Sequence, residues 1–397
     1  MQILFIAFSA LMAVLNIAAI YTGVIALFTF KKRRPYPDAA PETRFAVVIP
    51  ARNEERVIGK LIDRLNAQHY PRDRFDIYVA INNCTDRTGE IAAAKGAKLL
   101  HCDNTHCKGD VLHQALAQLM PMGYDAYAFF DADNQPDAEF LQKMNDALAA
   151  GERVCKGRLK ASNPYDSWVS GGYGLYHALM EWVYSRPHAA AGMSSNLVGT
   201  GFVVHRDVMD ELGGWNTETI CEDSEFAAIC ARIGVRIAWV YEALSYDEQV
   251  TDFKLSLIQR VRWCRGMVMT ARRYTKDLLR RDCPNRKVAL DFAMVLILSH
   301  TAPLSMLLSI LSLPFQNRLM LLMTLGSLAL SIVGMIFLAI LLCILGGYSV
   351  RRMLPTILLY PLYTASWFPL QLAALFLPIR SWKPIPHQGG EVEDLAA

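Results

Sequence analysis

The sequence predicts an α/β domain with a doubly wound, mainly parallel sheet, carried between membrane-spanning helices. Three observations lead there. Short apolar runs alternate with amphipathic stretches between residues 44 and 287. The clearest of those runs each stop at a polar cluster, as strands do where they enter loops. Long, nearly uncharged segments lie on both sides of the region and help raise the hydrophobic share of the 397 residues to 53%.

The first element, Ile3 to Phe30, exceeds the roughly 20 residues that cross a bilayer. No basic stretch precedes it, and it is longer than the apolar part of a usual signal peptide, so a retained helix is expected. Lys31-Lys32-Arg33-Arg34 follows, and the positive-inside rule sets the residues beyond in the cytoplasm. Residues 31–43 are a basic, proline-containing linker.

Within 44–250, "RFAVVIPARNEE" predicts a buried strand at Phe45–Ile49, then a helix with Val57, Ile58, Leu61, Ile62 and Leu65 on one face. "DIYVAINNCTDRTGE" repeats the pattern: a strand at Ile77–Ile81, a polar turn, and a helix that Thr85 or Asp86 would cap. "AYAFFDADNQPD" gives a third strand, Tyr127–Phe130, ending in Asp131-Ala132-Asp133. In doubly wound sheets ligands bind beyond the carboxyl ends of the strands. The clusters at 51–54, 82–83 and 131–133 should therefore converge.

Two carboxylates at the mouth of one strand repel each other unless a positive charge lies between them. A divalent cation bridging to phosphates suits them, and oxygen ligands favour Mg²⁺ or Mn²⁺. A turn in which each aspartate accepts backbone hydrogen bonds is the alternative. Glu222-Asp223 opens an amphipathic helix, where acids are ordinary starters. In "SLIQRVRWCRG", Gln259, Arg262 and Trp263 fall at i, i+3 and i+4 on one helix face. An amide, a guanidinium and an indole suit a diphosphate and a sugar ring; a helix lying on the membrane surface has the same composition. Residues 251–287 read as interfacial helices.

Hydrophobicity returns over 288–378. Val288–Leu313 and Leu319–Leu345 are long enough to span, separated by Pro314-Phe315-Gln316-Asn317-Arg318. Leu354–Leu377 contains Pro355, Pro361 and Pro369, which fits a third crossing, an interfacial segment or a re-entrant one. Arg351, Arg352, Arg380 and Lys383 flank both of its ends, so charge leaves the side of the 379–397 tail open. The net charge of +3 offers nothing to nucleic acid. Nine cysteines, most on the cytoplasmic side, do not suggest disulfides. His101, Cys102, His106 and Cys107 lack a second ligand pair at zinc spacing and read as a polar loop with buried thiols.

The ordered set "VVIPARNEE", Lys108-Gly109, "DADN", "KGRLKASNPYDSW", "GTGF", "CED" and "QRVRW" resembles glycosyltransferase family 2, specifically the membrane-integrated synthases of cellulose, chitin and hyaluronan. The resemblance runs from 44 to about 275. It implies a GT-A fold and a nucleotide-sugar donor, with UDP-hexose or UDP-N-acetylhexosamine expected. It puts Pro50, Ala51 and Glu54 at the base and ribose, Lys108 and Asp131 toward the diphosphate and sugar, and Asp133 on the metal. Asp223 matches the catalytic base, with Glu222 beside it at the acceptor. Gln259, Arg262 and Trp263 match the Q-x-x-R-W signature, the indole serving the acceptor. Two residues depart from the pattern. Asn82 stands where many members have an aspartate at the base, and Cys221 replaces the usual threonine before the acidic pair.

Three functions compete. The leading expectation is an inverting, metal-dependent hexosyltransferase making a β-linked polysaccharide, multi-pass in the plasma membrane with its catalytic domain cytoplasmic. The second adds one sugar to a lipid-linked acceptor. The third is a non-catalytic nucleotide-binding membrane subunit, disfavoured by intact Asp131, Asp133, Asp223 and Arg262. With no more than four candidate spans a pore is narrow or shared, which admits a homo-oligomer or an accessory export subunit.

Overall fold

The computed structural model describes residues 2–32, 34–313, 317–377 and 389–390. Arg33, Pro314–Gln316, Arg380 and Lys383 lie outside them. Eight strands form one sheet: β1 Phe45–Ala51, β2 Phe75–Asn82, β3 Lys98–Cys102, β4 Ala126–Phe129, β5 Gln135–Pro136, β6 Val154–Ala161, β7 Phe202–His205 and β8 Ile237–Asp247. Their order is β3-β2-β1-β4-β7-β6-β8-β5.

The half formed by β3, β2, β1 and β4 is parallel. Both faces are covered. Phe45, Val47 and Ile49 point into one core with Ile58, Leu61 and Leu65, and Ala46 and Val48 point into the other with Leu112 and Leu116. β1 runs two residues past the expected Ile49. Pro50 is accommodated because the β1–β4 ladder ends at Val48 opposite Phe129, so no bond to β4 is lost. β4 begins and ends one residue earlier than expected.

The other half adds two reversed strands, β5 and β7, to a sheet that is mainly parallel as expected, six of its eight strands running in one direction. β7 runs antiparallel to β4 and to β6, β6 is parallel to β8, and β5 is antiparallel to β8. The cause is the excursion between β6 and β7. A parallel return needs a crossover over the sheet. Instead the helix Trp168–Leu179, a π-helical turn Met180–Ser185 and the helix Arg186–Ala190 stay at the carboxyl edge. The first of these packs on the C-terminal helices, where Val169 and Tyr173 share a core with Leu342, Ile357 and Tyr363. β7 thus enters from the edge at which β4 leaves, with Phe202 opposite Phe129. The loop before β7 consequently joins those after β1, β2, β4 and β8.

Among the described residues, three helices are long and apolar enough to cross a membrane: Met12–Phe30, Arg286–Ser312 and Arg318–Gly346. The first is tied to the second by Tyr21, which donates to Asp291 Oδ1 at 2.6 Å. The Leu354–Leu377 segment is two short helices, Leu354–Ala365 and Trp367–Phe376. At 1.5 Å per residue they reach about 18 and 15 Å, each short of the ~30 Å hydrocarbon core. Beyond them, the Gly389 amide donates to Glu248 Oε2 at 2.8 Å, which sets this glycine beside the α/β domain.

Candidate active site

A cavity of about 740 Å³ opens at the carboxyl edge of the sheet. Every site residue expected from the sequence lines it: Pro50, Ala51, Glu54, Asn82, Lys108, Asp131, Asp133, Glu222, Asp223, Gln259, Arg262 and Trp263. Strand polarity accounts for the convergence, since the loops after β1, β2 and β4 and the loop before β7 share one edge.

At the first end, Glu54 follows β1, and its amide donates to Thr88 Oγ1 at 2.8 Å. The helix Thr88–Ala94, which follows β2, starts where Asp86 Oδ1 accepts from the Thr88 amide at 3.0 Å, so Asp86, not Thr85, tethers its first turn. Asn82 is buried at the end of β2. Its Oδ1 accepts from the Thr105 hydroxyl and from Asn83 Nδ2 at 3.1 Å, which leaves its own N–H groups as the free hydrogen-bonding capacity.

In the middle, Asp131 is fixed by its amide, which donates to Thr200 Oγ1 at 2.9 Å. Lys108, first residue of the helix Lys108–Leu119, donates to Gly199 O at 2.6 Å and lies 2.6 Å from Asp131 Oδ1 and 3.1 Å from Glu222 Oε1. Burial opposes its charge, but Asp131 and Glu222 outweigh burial and hold its pKa above the usual lysine range. The close approach is helped by glycine at 199, where a Cβ would sit 3.0 Å from Lys108 Nζ, and the loop turns at Gly201, where φ is +60° and a Cβ would sit 2.8 Å from Ser245 Oγ.

The carboxyl of Asp133 is pushed up to about 7 by burial and then by Asp131, with Glu54 adding to the effect and a hydrogen bond with Asp247 opposing it. Asp223 is pushed up to about 6 by burial and by Glu222, against the pull of Lys108. Carboxyls held this far above 3.8 form a site that disfavours further negative charge, and a dication between Asp131 and Asp133 would relieve that cost. The oxygen-only donor set fits Mg²⁺ or Mn²⁺, with the remaining positions left to water and phosphate oxygens. Among the described residues no three His, Cys, Asp or Glu side chains are gathered as a metal cage. In the 101–107 stretch, the Cys102 thiol donates to Val111 O at 3.7 Å and Cys107 caps the Lys108 helix.

At the far end, the helix Phe253–Leu278 carries the amide, guanidinium and indole. Gln259 Oε1 accepts from the Tyr173 hydroxyl at 2.7 Å, leaving the amide N–H pair as its free capacity. Arg262 Nε is buried with no hydrogen-bond partner among the described residues. Such a donor is costly unless a ligand oxygen meets it. Trp263 meets Tyr173 edge-on at 5.9 Å and stacks on Trp367 at 6.3 Å. Cys221 fits where a threonine is usual because Gly266 opposes it: a Cβ there would lie 2.1 Å from Cys221 Sγ.

The sequence reading missed several lining residues. Asp247, at the end of β8, accepts from Asn134 Nδ2 at 3.0 Å and from Gln249 Nε2 at 3.1 Å; an acid ending an apolar run was the available signal. Lys156 lies behind the lining, buried, and donates to Gly157 O at 3.0 Å; burial lowers its pKa to about 7. Val295 and Ser299 come from the candidate membrane helix Arg286–Ser312, and Trp367 and Gln371 from the last short helix. No pattern in the sequence marks those four.

The sheet order, its mixed polarity and a carboxylate-lined cavity at the carboxyl edge define a GT-A glycosyltransferase fold. The chain belongs to glycosyltransferase family 2: residues 41–266 match the model described as glycosyltransferase like family 2. It is 25% identical over 233 residues to the probable glycosyltransferase YdaM of Bacillus subtilis, covering 56% of this chain and 55% of that protein. It is 24% identical over 337 residues to the β-monoglucosyldiacylglycerol synthase of Synechocystis, covering 78% of this chain and 67% of the relative. The chain thus spans about half to two thirds of these relatives. Among solved structures, the mannosyltransferase PcManGT from Pyrobaculum calidifontis, in complex with GDP-Man and Mn²⁺, matches with a TM-score of 0.65 at 17% identity, over 94% of this chain and 97% of that one. At that identity the likeness is one of fold.

Proposed function

We propose that the chain transfers a hexosyl group from a nucleotide-sugar to a hydroxyl of a lipid-anchored acceptor, with inversion, on the cytoplasmic face of the membrane. The observation that carries this is the composition of the cavity wall. One end consists of strand-end polar groups, and the other includes Val295 and Ser299 of a helix apolar enough to cross a bilayer. An acceptor held by its tail in the membrane reaches such a cavity from the side.

In this reading the base and ribose lie against Pro50, Ala51 and Glu54, and Asn82 donates to a carbonyl oxygen of the base. Lys108, Arg262 and the Gln259 amide bind the diphosphate. Asp131 and Asp133 hold Mg²⁺ or Mn²⁺, which when bound neutralises the charge that builds on the leaving diphosphate. Asp223 takes the proton of the acceptor hydroxyl as its oxygen attacks the anomeric carbon. Its raised pKa keeps it a stronger base than a surface aspartate. Glu222 stays engaged with Lys108, so its negative charge is partly spent there. One in-line displacement inverts the anomeric centre.

A second reading, a processive β-linked polysaccharide synthase, is favoured by Gln259, Arg262 and Trp263 sharing the cavity wall. One experiment separates the two. Purified protein in detergent with membrane lipids is given a panel of radiolabelled nucleotide-sugars, and the product is sized. A glycolipid one sugar longer supports the lipid reading, a ladder or polymer supports the second, and no incorporation from any donor defeats both.

A further inference from the structure

The helix Phe253–Leu278 contains a side chain that the chemistry above does not use. Arg260 is fully buried, 0% exposed, and enters no ion pair among the described residues. A buried guanidinium without a carboxylate is costly and persists where other groups satisfy it. Here Nε donates to Ser256 O of its own helix at 3.3 Å, Nη2 has no hydrogen-bond partner among the described residues, and the acceptors for Nη1 belong to the break between the two last short helices. Arg260 Nη1 donates to Tyr363 O at 3.3 Å and to Ser366 Oγ at 2.9 Å. These acceptors sit at the carboxyl end of Leu354–Ala365, where unpaired carbonyls and the helix dipole favour a cation. The same guanidinium lies 4.5 Å from the Tyr363 ring centroid and 5.2 Å from that of Trp367, within cation–π range.

Trp367 is the residue this arrangement orients. It is the first residue of the last helix, it lines the cavity, and it stacks on Trp263 at 6.3 Å and on Tyr176 at 5.6 Å. Two of its neighbours, Trp263 and Tyr176, also line the cavity. The aromatic group includes Trp263 of the helix Phe253–Leu278.

We infer that Trp367 is a second aromatic wall of the acceptor subsite and that Arg260 is its positioning residue, clamping the break at Ser366 so that Trp367 faces the cavity beside Trp263. The inference rests on the transferase reading and deepens it. The broken apolar segment, on this account, shapes the site for an acceptor with a flat apolar face bearing hydroxyls. Arg260 touches neither donor nor acceptor and acts through the indole.

The test is steady-state transfer by the full chain in detergent, using the donor and acceptor found in the panel experiment, with nucleotide affinity measured separately by calorimetry. Trp367→Ala should raise the acceptor KM at least tenfold and leave nucleotide affinity within twofold of wild type, and Trp367→Phe should recover most of the loss. Arg260→Met and Arg260→Lys should raise the acceptor KM as well. The deciding measurement is the double variant: Arg260→Met in the Trp367→Ala background should add less than twofold, because the residue it positions is gone. An unchanged acceptor KM in Trp367→Ala overturns the inference even if both Arg260 variants fail to fold. Additive effects of the two changes overturn the positioning role. Loss of nucleotide affinity in Trp367→Ala would assign the indole to the donor and overturn the acceptor wall. Absence of any transfer by wild type would be a failure of the transferase reading itself, and is seen before a variant is made.

Discussion

Lys108 Nζ lies 2.6 Å from Asp131 Oδ1 and 3.1 Å from Glu222 Oε1, so one ammonium joins the acidic turn after β4 to the acidic start of the helix Glu222–Arg232. Lys108→Met leaves those carboxylates facing each other without a counter-charge. The expected outcome is a lower Tm together with at least a tenfold loss of nucleotide affinity by calorimetry. Adding Asp131→Asn should restore part of the Tm and none of the affinity. Wild-type Tm and affinity in the single variant would show that the pair is incidental.

Asp133 is expected to be required for metal-dependent transfer. Asp133→Asn should abolish activity while circular dichroism shows an intact fold, and excess chelator should do the same to wild type. Mn²⁺ or Mg²⁺ should restore the chelated wild type and not the variant. Undiminished turnover in chelator would remove the cation from the reaction.

The pH dependence of Asp223 has a definite sign. Its carboxyl is raised from 3.8 to about 6 by burial and Glu222, and a base acts only when ionised. kcat/KM should therefore fall about tenfold per pH unit below about 6 and level off above it. Stability should move the opposite way. A carboxyl whose pKa is raised on folding stabilises the chain below its unfolded value near 4, and that contribution is lost as pH rises through about 6. Asp223→Asn should accordingly lose about 10²–10⁴-fold in rate, keep nucleotide affinity, and be more stable than wild type at pH 7. A loss below tenfold would transfer the base role to another group, with Glu222 tested next.

Trp263 sits between Tyr173 and Trp367 in the cavity wall. Stacking needs flat apolar area more than an indole N–H, so Trp263→Phe should retain more activity than Trp263→Ala. Initial rate and product length are the readouts, with nucleotide affinity unchanged in both. Wild-type rate and length in Trp263→Ala would leave the indole as an anchor at the membrane surface.

Gly266 is tested through packing. A Cβ at 266 would fall 2.1 Å from Cys221 Sγ and 2.4 Å from Cys221 Cβ. Gly266→Ala should destabilise by about 1–3 kcal/mol, the usual range for overpacking. Cys221→Ala should fail to rescue it because the second clash remains, whereas Cys221→Gly should succeed. Denaturant unfolding in detergent decides between these outcomes.

How much of this was legible in the sequence follows from what each element depends on. Phe45–Ile49, Ile77–Ile81 and the Val57–Leu65 face are local patterns of period and burial, and the structure has them within a residue or two. The polar clusters were legible as strand ends, and hence as neighbours, because parallel strands put their carboxyl ends on one edge. The acidic pair Asp131 and Asp133, the Glu222-Asp223 start and the Gln259, Arg262 and Trp263 face were all readable as spacing. The meeting of the strand-end clusters was an expectation of topology, and that Glu222-Asp223 and the Gln259, Arg262 and Trp263 face join them was implied only by the family resemblance.

What the sequence could not fix depends on contacts between distant segments. The reversed direction of β7 is set by an excursion that packs on the C-terminal helices, and its own four residues carry no sign of polarity. The 354–377 run has the composition of a membrane span, yet it becomes two short helices whose break accepts hydrogen bonds from Arg260, more than a hundred residues earlier. Trp367 reaches the site by the same route. Periodicity and charge along the chain determine elements and their ends. Which side chains share a cavity is decided by packing, as where Arg260 Nη1 finds Tyr363 O and Ser366 Oγ, acceptors that local sequence does not announce.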